Sequence, residues 1–288
     1  MEYRHLKLEK DGHILTCRMS NPPDQTLTLR MIGELHHLMN EIAHDKSIRV
    51  FLCTGEDNTF LRWVQLTELQ DEAVKGAGNK GAMEEPDTPE GEQLMLLSQY
   101  HNYLGALHQL AMRIQGMPFV TVAAINGNVG GGGCEFSLAF DFRLMKDIPE
   151  ATFALPQSSF GIVPGGGGVY YALQNMGRAR ALDLLLHGDF IPAAEALELG
   201  MVSRVFSAET YDADVQAFVE NFAKRAPLSM RIIKEMVNEA TRPGMLESHV
   251  REQDGLRKTI YSEDFQHAIS MWINNPSFDD YKPVFKGK

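Results

Sequence analysis

The sequence predicts an α/β fold followed by a helical C-terminal region, and three observations support this prediction. Strand-like apolar runs alternate with segments of helical periodicity in the first two thirds of the chain. Glycine-rich turns separate several of these segments. From about residue 207 onward helical periodicity dominates. We therefore expect an α/β core at residues 1–205 and a helical region at residues 206–288.

The first elements are expected to be a hairpin, a helix and a strand. Apolar and polar residues roughly alternate on both sides of Asp11-Gly12, a dipeptide typical of tight hairpin turns. Helical spacing follows from Leu27 to Ala43, and the run IRVFLCTG has the composition of a strand. Residues 72–93 are polar and rich in glycine, which predicts a long loop, and a helix is predicted from Leu94 to Ile114.

The later elements alternate in the same way. The segment PFVTVAAING predicts a buried strand that enters a glycine run, and FRLM and ATFALP predict two further strands. Three helices after IVPGGGG are each expected to stop at a glycine, as helices commonly do. Within the C-terminal region the sequence predicts breaks at Arg242-Pro243-Gly244 and at Asn274-Asn275-Pro276.

Composition and charge exclude several classes of protein. The chain has 288 residues, of which 44% are hydrophobic and 23% charged, as in globular proteins, and no apolar run approaches the ~18 residues of a membrane span. A net charge of −11 disfavours binding to nucleic acid. The start, MEYRHLKLEKDGHI, lacks the features of a secretory signal, so we expect a cytoplasmic protein. The three cysteines are far apart, which predicts neither a disulfide framework nor a metal site.

The stretch GNVGGGGCEF, residues 127–136, places four glycines directly before Cys134 and Glu135. The dinucleotide fingerprint fails because Glu135 stands where its third glycine is required, and a Walker A loop fails because no lysine follows the last glycine. What remains is a bare backbone at a helix start, whose amides can approach a ligand oxygen. The run therefore favours an oxyanion-binding turn, and tight packing of strand against helix is the alternative.

Several motifs resemble those of the crotonase (enoyl-CoA hydratase/isomerase) superfamily. They are TGEDNTF, AAINGNVGGGGCEFSLAFDFRLM, ATFALPQSSFGIVPGGGG, AAEALELGMVSRV and the closing YKPVFKGK, so the resemblance runs nearly from end to end. It implies a spiral of ββα units with a helical C-terminal trimerisation region, and a homotrimer or a hexamer. It also implies an acyl-CoA or acyl-carrier thioester as substrate, with CoA as part of the substrate and no separate cofactor or metal.

The resemblance assigns roles to particular residues. The backbone amides of Val64 and Gly132 would form an oxyanion hole that stabilises an enolate, with Gly131 beside them, and Glu135 would be a general acid and base. Lys282 and Phe285 match a C-terminal segment that contacts the nucleotide end of CoA. A second family glutamate aligns with Gln157, which cannot exchange a proton but can orient a water molecule.

A second departure from the family pattern lies in FLRWVQL, residues 60–66, where the family has small residues. Arg62 could bind an acyl carboxylate or a CoA phosphate, and Trp63 could form a wall of the acyl pocket. Alternatively, Arg62 points to solvent and Trp63 fills the core. Weaker candidates for the site, each with a structural role as the alternative, are Tyr100, His101, Tyr103, His108, Cys134, Tyr170, Tyr171 and Lys286.

The function expected from this resemblance is that of an enoyl-CoA hydratase or isomerase with Glu135 as its single general acid and base. Gln157 leaves two alternatives open. One is a diverged C–C hydrolase, lyase or decarboxylase on the same fold. The other is a catalytically silent oligomer that binds CoA.

Overall fold

The structure, a computed structural model, describes residues 3–56, 58–68, 103–274 and Pro283. Its first half alternates long strands, short strands and helices, as the sequence predicts. In chain order these elements are β1 (Leu6–Asp11), β2 (Ile14–Met19), α1 (Leu29–Ile42), β3 (Val50–Gly55), β4 (Thr59–Leu61), α2 (Tyr103–Gln115), β5 (Val120–Ile125), β6 (Asn128–Gly130), α3 (Gly132–Leu138), β7 (Phe142–Asp147) and β8 (Thr152–Ala154). The loop predicted at residues 72–93 and the predicted helix residues 94–102 lie outside the described residues.

The second half is mainly helical. A short 3₁₀ helix at Pro156–Phe160 leads into the remaining elements. These are α4 (Gly168–Met176), α5 (Arg178–His187), β9 (Ile191–Pro192), α6 (Ala193–Glu198), β10 (Arg204–Ser207), α7 (Tyr211–Ala223), α8 (Pro227–Ile260) and α9 (Glu263–Asn274). Helices α4 and α5 end one residue before Gly177 and Gly188, at the predicted glycines.

Two sheets organise the molecule. The larger has the order β1-β2-β3-β5-β7-β10, antiparallel between β1 and β2 and parallel elsewhere. The smaller has the order β4-β6-β8-β9, parallel except for the pair β8-β9. Strands β3, β5 and β7 of the large sheet are each followed in the chain by a short strand of the small sheet. This repeat places the ends of β4, β6 and β8 side by side, next to the start of α3.

The predicted break at Arg242-Pro243-Gly244 is wrong, because α8 runs without interruption from Pro227 to Ile260. A proline inside a helix removes one backbone hydrogen bond and costs about 3 kcal/mol. Burial further along the helix, where Leu256 and Ile260 join the main core, offsets that cost. The predicted break near residue 275 begins where α9 ends, and residues 275–282 fall outside the described part.

The last helix packs back onto the core. Phe265, Ile269 and Trp272 on α9 are buried in the same apolar cluster as the helices of the first half. Burying each such side chain contributes about 1.5–3 kcal/mol, which is enough to hold a helix of this length in place. No helix in the described ranges combines the length and hydropathy needed to span a bilayer.

Candidate active site

Glu135 lies at an apolar cavity between α3 and α9. It is the fourth residue of α3, whose first residue is Gly132, and its side chain is 1% exposed. The cavity has a volume of about 50 Å³. Its lining includes Trp63, Val64, Leu104, Gly131, Gly132, Glu135, Gln157, Phe160, Phe265, Ile269 and Trp272. Nearly all of these groups are apolar, and among the described residues Glu135 and Gln157 are the polar side chains of the lining.

Three donors surround the Glu135 carboxylate. Oε1 accepts hydrogen bonds from the amides of Gly166 at 2.8 Å and Gly168 at 3.1 Å. Oε2 accepts from Gln157 Nε2 at 3.3 Å. Burial raises the pKa of Glu135 to about 7, and these three donors act against that rise because they stabilise the ionised form. A carboxyl group with a pKa near neutrality can both take and give a proton at physiological pH.

Gln157 has an unused acceptor. The residue is 8% exposed, and its Nε2 donates to Glu135. Its Oε1 is buried and has no hydrogen-bond partner within the ranges that the structure describes. A buried acceptor without a partner costs free energy, so this oxygen favours a ligand or water that brings a hydrogen-bond donor.

Val64 and Gly132 line the same cavity as Glu135, and their backbone amides have no acceptor among the described residues. A Cβ atom built on Gly132 would lie 3.6 Å from the Val64 amide nitrogen and 2.4 Å from Val64 Cγ1. The two residues are therefore in direct contact across the cavity floor. Gly131 directly precedes Gly132 and has a φ of 47°, a conformation that favours glycine. Its amide donates to the carbonyl of Ala154 at 2.9 Å.

Trp63 and Arg62, the two unusual residues of the loop after β4, point to different places. Trp63 lines the cavity, and its ring lies against Gly130, where an added Cβ would come within 2.4 Å of it. It also packs edge-on against Trp272, with ring centroids 6.4 Å apart. The side chain of Arg62 is exposed and does not line the cavity. A role for Arg62 in binding is therefore confined to a part of a ligand outside this cavity.

Most of the weaker candidates lie away from the cavity. Burial raises the pKa of the Cys134 thiol, which donates to the carbonyl of Val129 at 3.3 Å, so this thiol is a packed and unreactive group. Tyr103 donates through its hydroxyl to the carbonyl of Leu27. His108, Tyr170 and Tyr171 are buried but do not line the cavity. The candidates that fall outside the described residues are Tyr100, His101, Lys282, Phe285 and Lys286.

Sequence reasoning missed two groups of residues at the site. Gly166 and Gly168 belong to the second glycine run, and their amides donate to the Glu135 carboxylate. The signal that could have found them is the one used for the first run, a glycine run directly before a helix. Phe265 and Trp272 come from α9 and line the cavity. The amphipathic pattern of this helix predicts that its apolar side chains are buried, but not that they line a cavity. Among the described residues there is no cluster of three or more metal-ligating side chains.

Comparison with known proteins places this chain in a family. The model of the family described as enoyl-CoA hydratase/isomerase matches residues 86–282. A short-chain-enoyl-CoA hydratase of Clostridium acetobutylicum is 22% identical, with 98% of this chain and 99% of the relative covered. A probable enoyl-CoA hydratase of Bacillus subtilis is 26% identical, with the same coverage of 98% and 99%.

Solved structures agree with the sequence comparison on the fold. The human mitochondrial delta3-delta2-enoyl-CoA isomerase superposes with a TM-score of 0.77 at 21% identity, over 96% of this chain and 100% of that one. The resemblance to the crotonase superfamily is thereby confirmed, and so is the predicted α/β fold; the role of the C-terminal region in trimerisation stays a prediction. The chain belongs to the enoyl-CoA hydratase/isomerase family.

Proposed function

We propose that the protein adds water to a short 2-enoyl-CoA thioester, with Glu135 as the single group that moves protons. The observation that carries this proposal is that the buried Glu135 carboxylate lines one cavity with Val64 and Gly132, whose backbone amides have no acceptor in the described part of the chain. Two converging amides are the arrangement that stabilises a thioester oxygen as it becomes an enolate, and losing one typically costs about 2.7–4 kcal/mol of transition-state stabilisation.

The proposed reaction balances with one carboxylate. Ionised Glu135 takes a proton from water while the water oxygen attacks C3 of the enoyl group. The electron pair of the double bond moves to the thioester oxygen, which accepts hydrogen bonds from Val64 and Gly132. Glu135 then returns its proton to C2, which gives a 3-hydroxyacyl thioester. Gln157 Oε1 would hold the second hydrogen of the water molecule.

The size of the cavity supports a short acyl group. A volume of about 50 Å³ is far below the ~300–1,000 Å³ of most small-molecule pockets, and Trp63, Phe160 and Trp272 occupy the space beyond Glu135. CoA would enter as part of the substrate, and an acyl-carrier thioester presents the same acyl group. The mechanism calls for no separate cofactor. Arg62 on the exposed loop, together with Lys282 and Phe285, would contact the part of the substrate outside the pocket.

Two observations favour other reactions on the same site. Gln157 cannot exchange a proton, and double-bond isomerisation, C–C hydrolysis and decarboxylation proceed, like the proposed one-carboxylate hydration, with a single proton carrier, so they are the second candidates. The small cavity favours a silent CoA-binding oligomer as the third. Incubation with 2-enoyl, 3-enoyl, 3-oxoacyl and 2-carboxyacyl thioesters separates them, since each reaction consumes a different substrate or gives a different product, and the silent protein gives none.

The variant Glu135→Gln tests the role of the carboxylate. It keeps the shape of the side chain but cannot carry a proton, so we expect kcat for crotonyl-CoA hydration to fall by ~10²–10⁴-fold with little change in thioester binding. Glu239→Gln, the same change at an exposed position of α8, is the matched control and should behave as wild type. An unchanged kcat in Glu135→Gln would remove this residue from the mechanism.

A further inference from the structure

The turn that holds Glu135 is itself held by a second buried carboxylate. Glu252 on α8 accepts hydrogen bonds from the amides of Gly167 and Tyr170, both at 2.9 Å. Glu135 accepts from the amides of Gly166 and Gly168 in the same turn. We propose that Glu252 is a positioning residue for Glu135, because it fixes the turn whose other amides hold the Glu135 carboxylate. This inference rests on the proposed role of Glu135.

The two carboxylates contact alternate amides of one short backbone segment. Gly167 has a φ of 101°, a backbone conformation that residues other than glycine rarely adopt. This conformation turns its amide away from the amides of its neighbours. A Cβ atom on Gly168 would lie 2.9 Å from Glu135 Oε1, so this position also requires glycine. The second glycine run thus allows the backbone to present donors on both of its sides.

Helix α8 makes a further contact with the same turn. Gln253 Nε2 donates to the carbonyl of Gly165 at 2.7 Å, and both Glu252 and Gln253 are buried. Burying a carboxylate costs free energy unless hydrogen-bond donors compensate for it. The amides of the turn supply that compensation for Glu252, which ties the carboxylate to the turn. Helix α8 therefore contacts the turn through two side chains, Glu252 and Gln253, which make three hydrogen bonds to it.

Neutral rings surround Glu252 on its other side. His108 Nδ1 lies 3.8 Å from Glu252 Oε2, within the distance of an ion pair. Burial, together with the nearby His249, lowers the pKa of His108 far below neutrality, so this ring carries no charge and the contact is not a salt bridge. The ring of His249 lies 4.0 Å from that of His108, and burial lowers its pKa as well. Among the described residues, Cys134 precedes Glu135 on α3, His108 lies 3.8 Å from Glu252, and His249 and Tyr171 lie close to His108.

The test uses Glu252→Asp, which keeps the charge but withdraws the carboxylate from the turn. Protonation of Glu135 is followed by infrared titration, using the carboxylic-acid band that is absent in Glu135→Gln. A looser turn donates weaker hydrogen bonds to ionised Glu135, so we expect the titration midpoint to rise by about half a pH unit or more. We also expect kcat for crotonyl-CoA to fall about 10-fold or more while KM changes little, because misplacement of a catalytic group costs rate.

Two further variants make the result decisive. Glu239→Asp makes the same change on the exposed face of α8 and should shift neither the midpoint nor kcat. Gln253→Met removes the hydrogen bond to Gly165 and should raise the midpoint in the same direction, and it decides the question if Glu252→Asp does not fold. Folded variants of Glu252 and Gln253 with the wild-type midpoint and kcat would overturn the proposal. The infrared midpoint is measured without turnover and tests the positioning role of Glu252. The proposed function fails instead if Glu135→Gln keeps full activity, so the two failures can be told apart.

Discussion

At the scale of single residues, Gly132 and Val64 decide whether an oxyanion hole exists. The first glycine run has three crowded positions: an added Cβ would meet Val64 Cγ1 at 2.4 Å from Gly132, the Trp63 ring at 2.4 Å from Gly130, and the Leu61 carbonyl oxygen at 2.2 Å from Gly133. The sequence suggests that a side chain at residue 130 is tolerated better than one at 132. Because Trp63 packs against Gly130, a side chain at residue 130 would meet as close a contact as one at residue 132. A Gly130 variant therefore cannot serve as the control for a Gly132 variant.

A pair of variants tests Gly132 without that control. Gly132→Ala should displace Val64 and lower kcat for crotonyl-CoA ~10²-fold or more, while stability falls by about 1–3 kcal/mol. In the double variant Val64→Ala/Gly132→Ala the blocking methyl group is gone, so part of the lost kcat should return. Steady-state kinetics and thermal melts measure both quantities. Equal kcat in single and double variants, with stability falling in parallel, would mean that the glycine serves packing alone.

At the scale of elements, local pattern predicted the hairpin, the helix α1 and the strands β3, β5 and β7, because each carries its own periodicity. The local pattern wrongly predicted a helix break at Pro243. Burial of Leu256 and Ile260, later in the same helix, offsets the cost of the proline. Helix α8 also exposes large apolar side chains at one end, among them Leu228, Ile232, Ile233 and Met236. Exposed apolar side chains grouped on one helix are typical of a protein interface.

We expect α8 to contribute to self-association as a trimer or hexamer. Sedimentation equilibrium should report three or six times the 32.2 kDa of one chain. The double variant Ile233→Asp/Met236→Asp places charges on the exposed apolar residues and should dissociate the assembly. Leu8→Asp on strand β1, also an exposed position, should leave the mass unchanged. A wild-type protein that sediments as a stable monomer at micromolar concentration would contradict this expectation.

At the scale of the whole molecule, the fold brings together residues that are far apart in the chain. The resemblance to a family predicted that Val64, Gly132, Glu135 and Gln157 share a site, and the structure places all four around one cavity. Trp272 and Glu252 could not be predicted in the same way, because their roles follow from how the C-terminal helices pack onto the core. The division into residues 1–205 and 206–288 stays a prediction, and the C-terminal helices share the main apolar cluster with the core.

The pH dependence of kcat/KM tests the central claim, proton transfer by Glu135, most directly. Burial raises the pKa of Glu135 to about 7, and hydration begins with its ionised form, so kcat/KM should increase with pH through one midpoint near 7. Crotonyl-pantetheine, which lacks the CoA phosphates, keeps substrate ionisation out of the profile. The residual activity of Glu135→Gln should show no such midpoint. A wild-type profile that is flat between about pH 5.5 and 8.5, or a midpoint that persists in Glu135→Gln, would contradict the account.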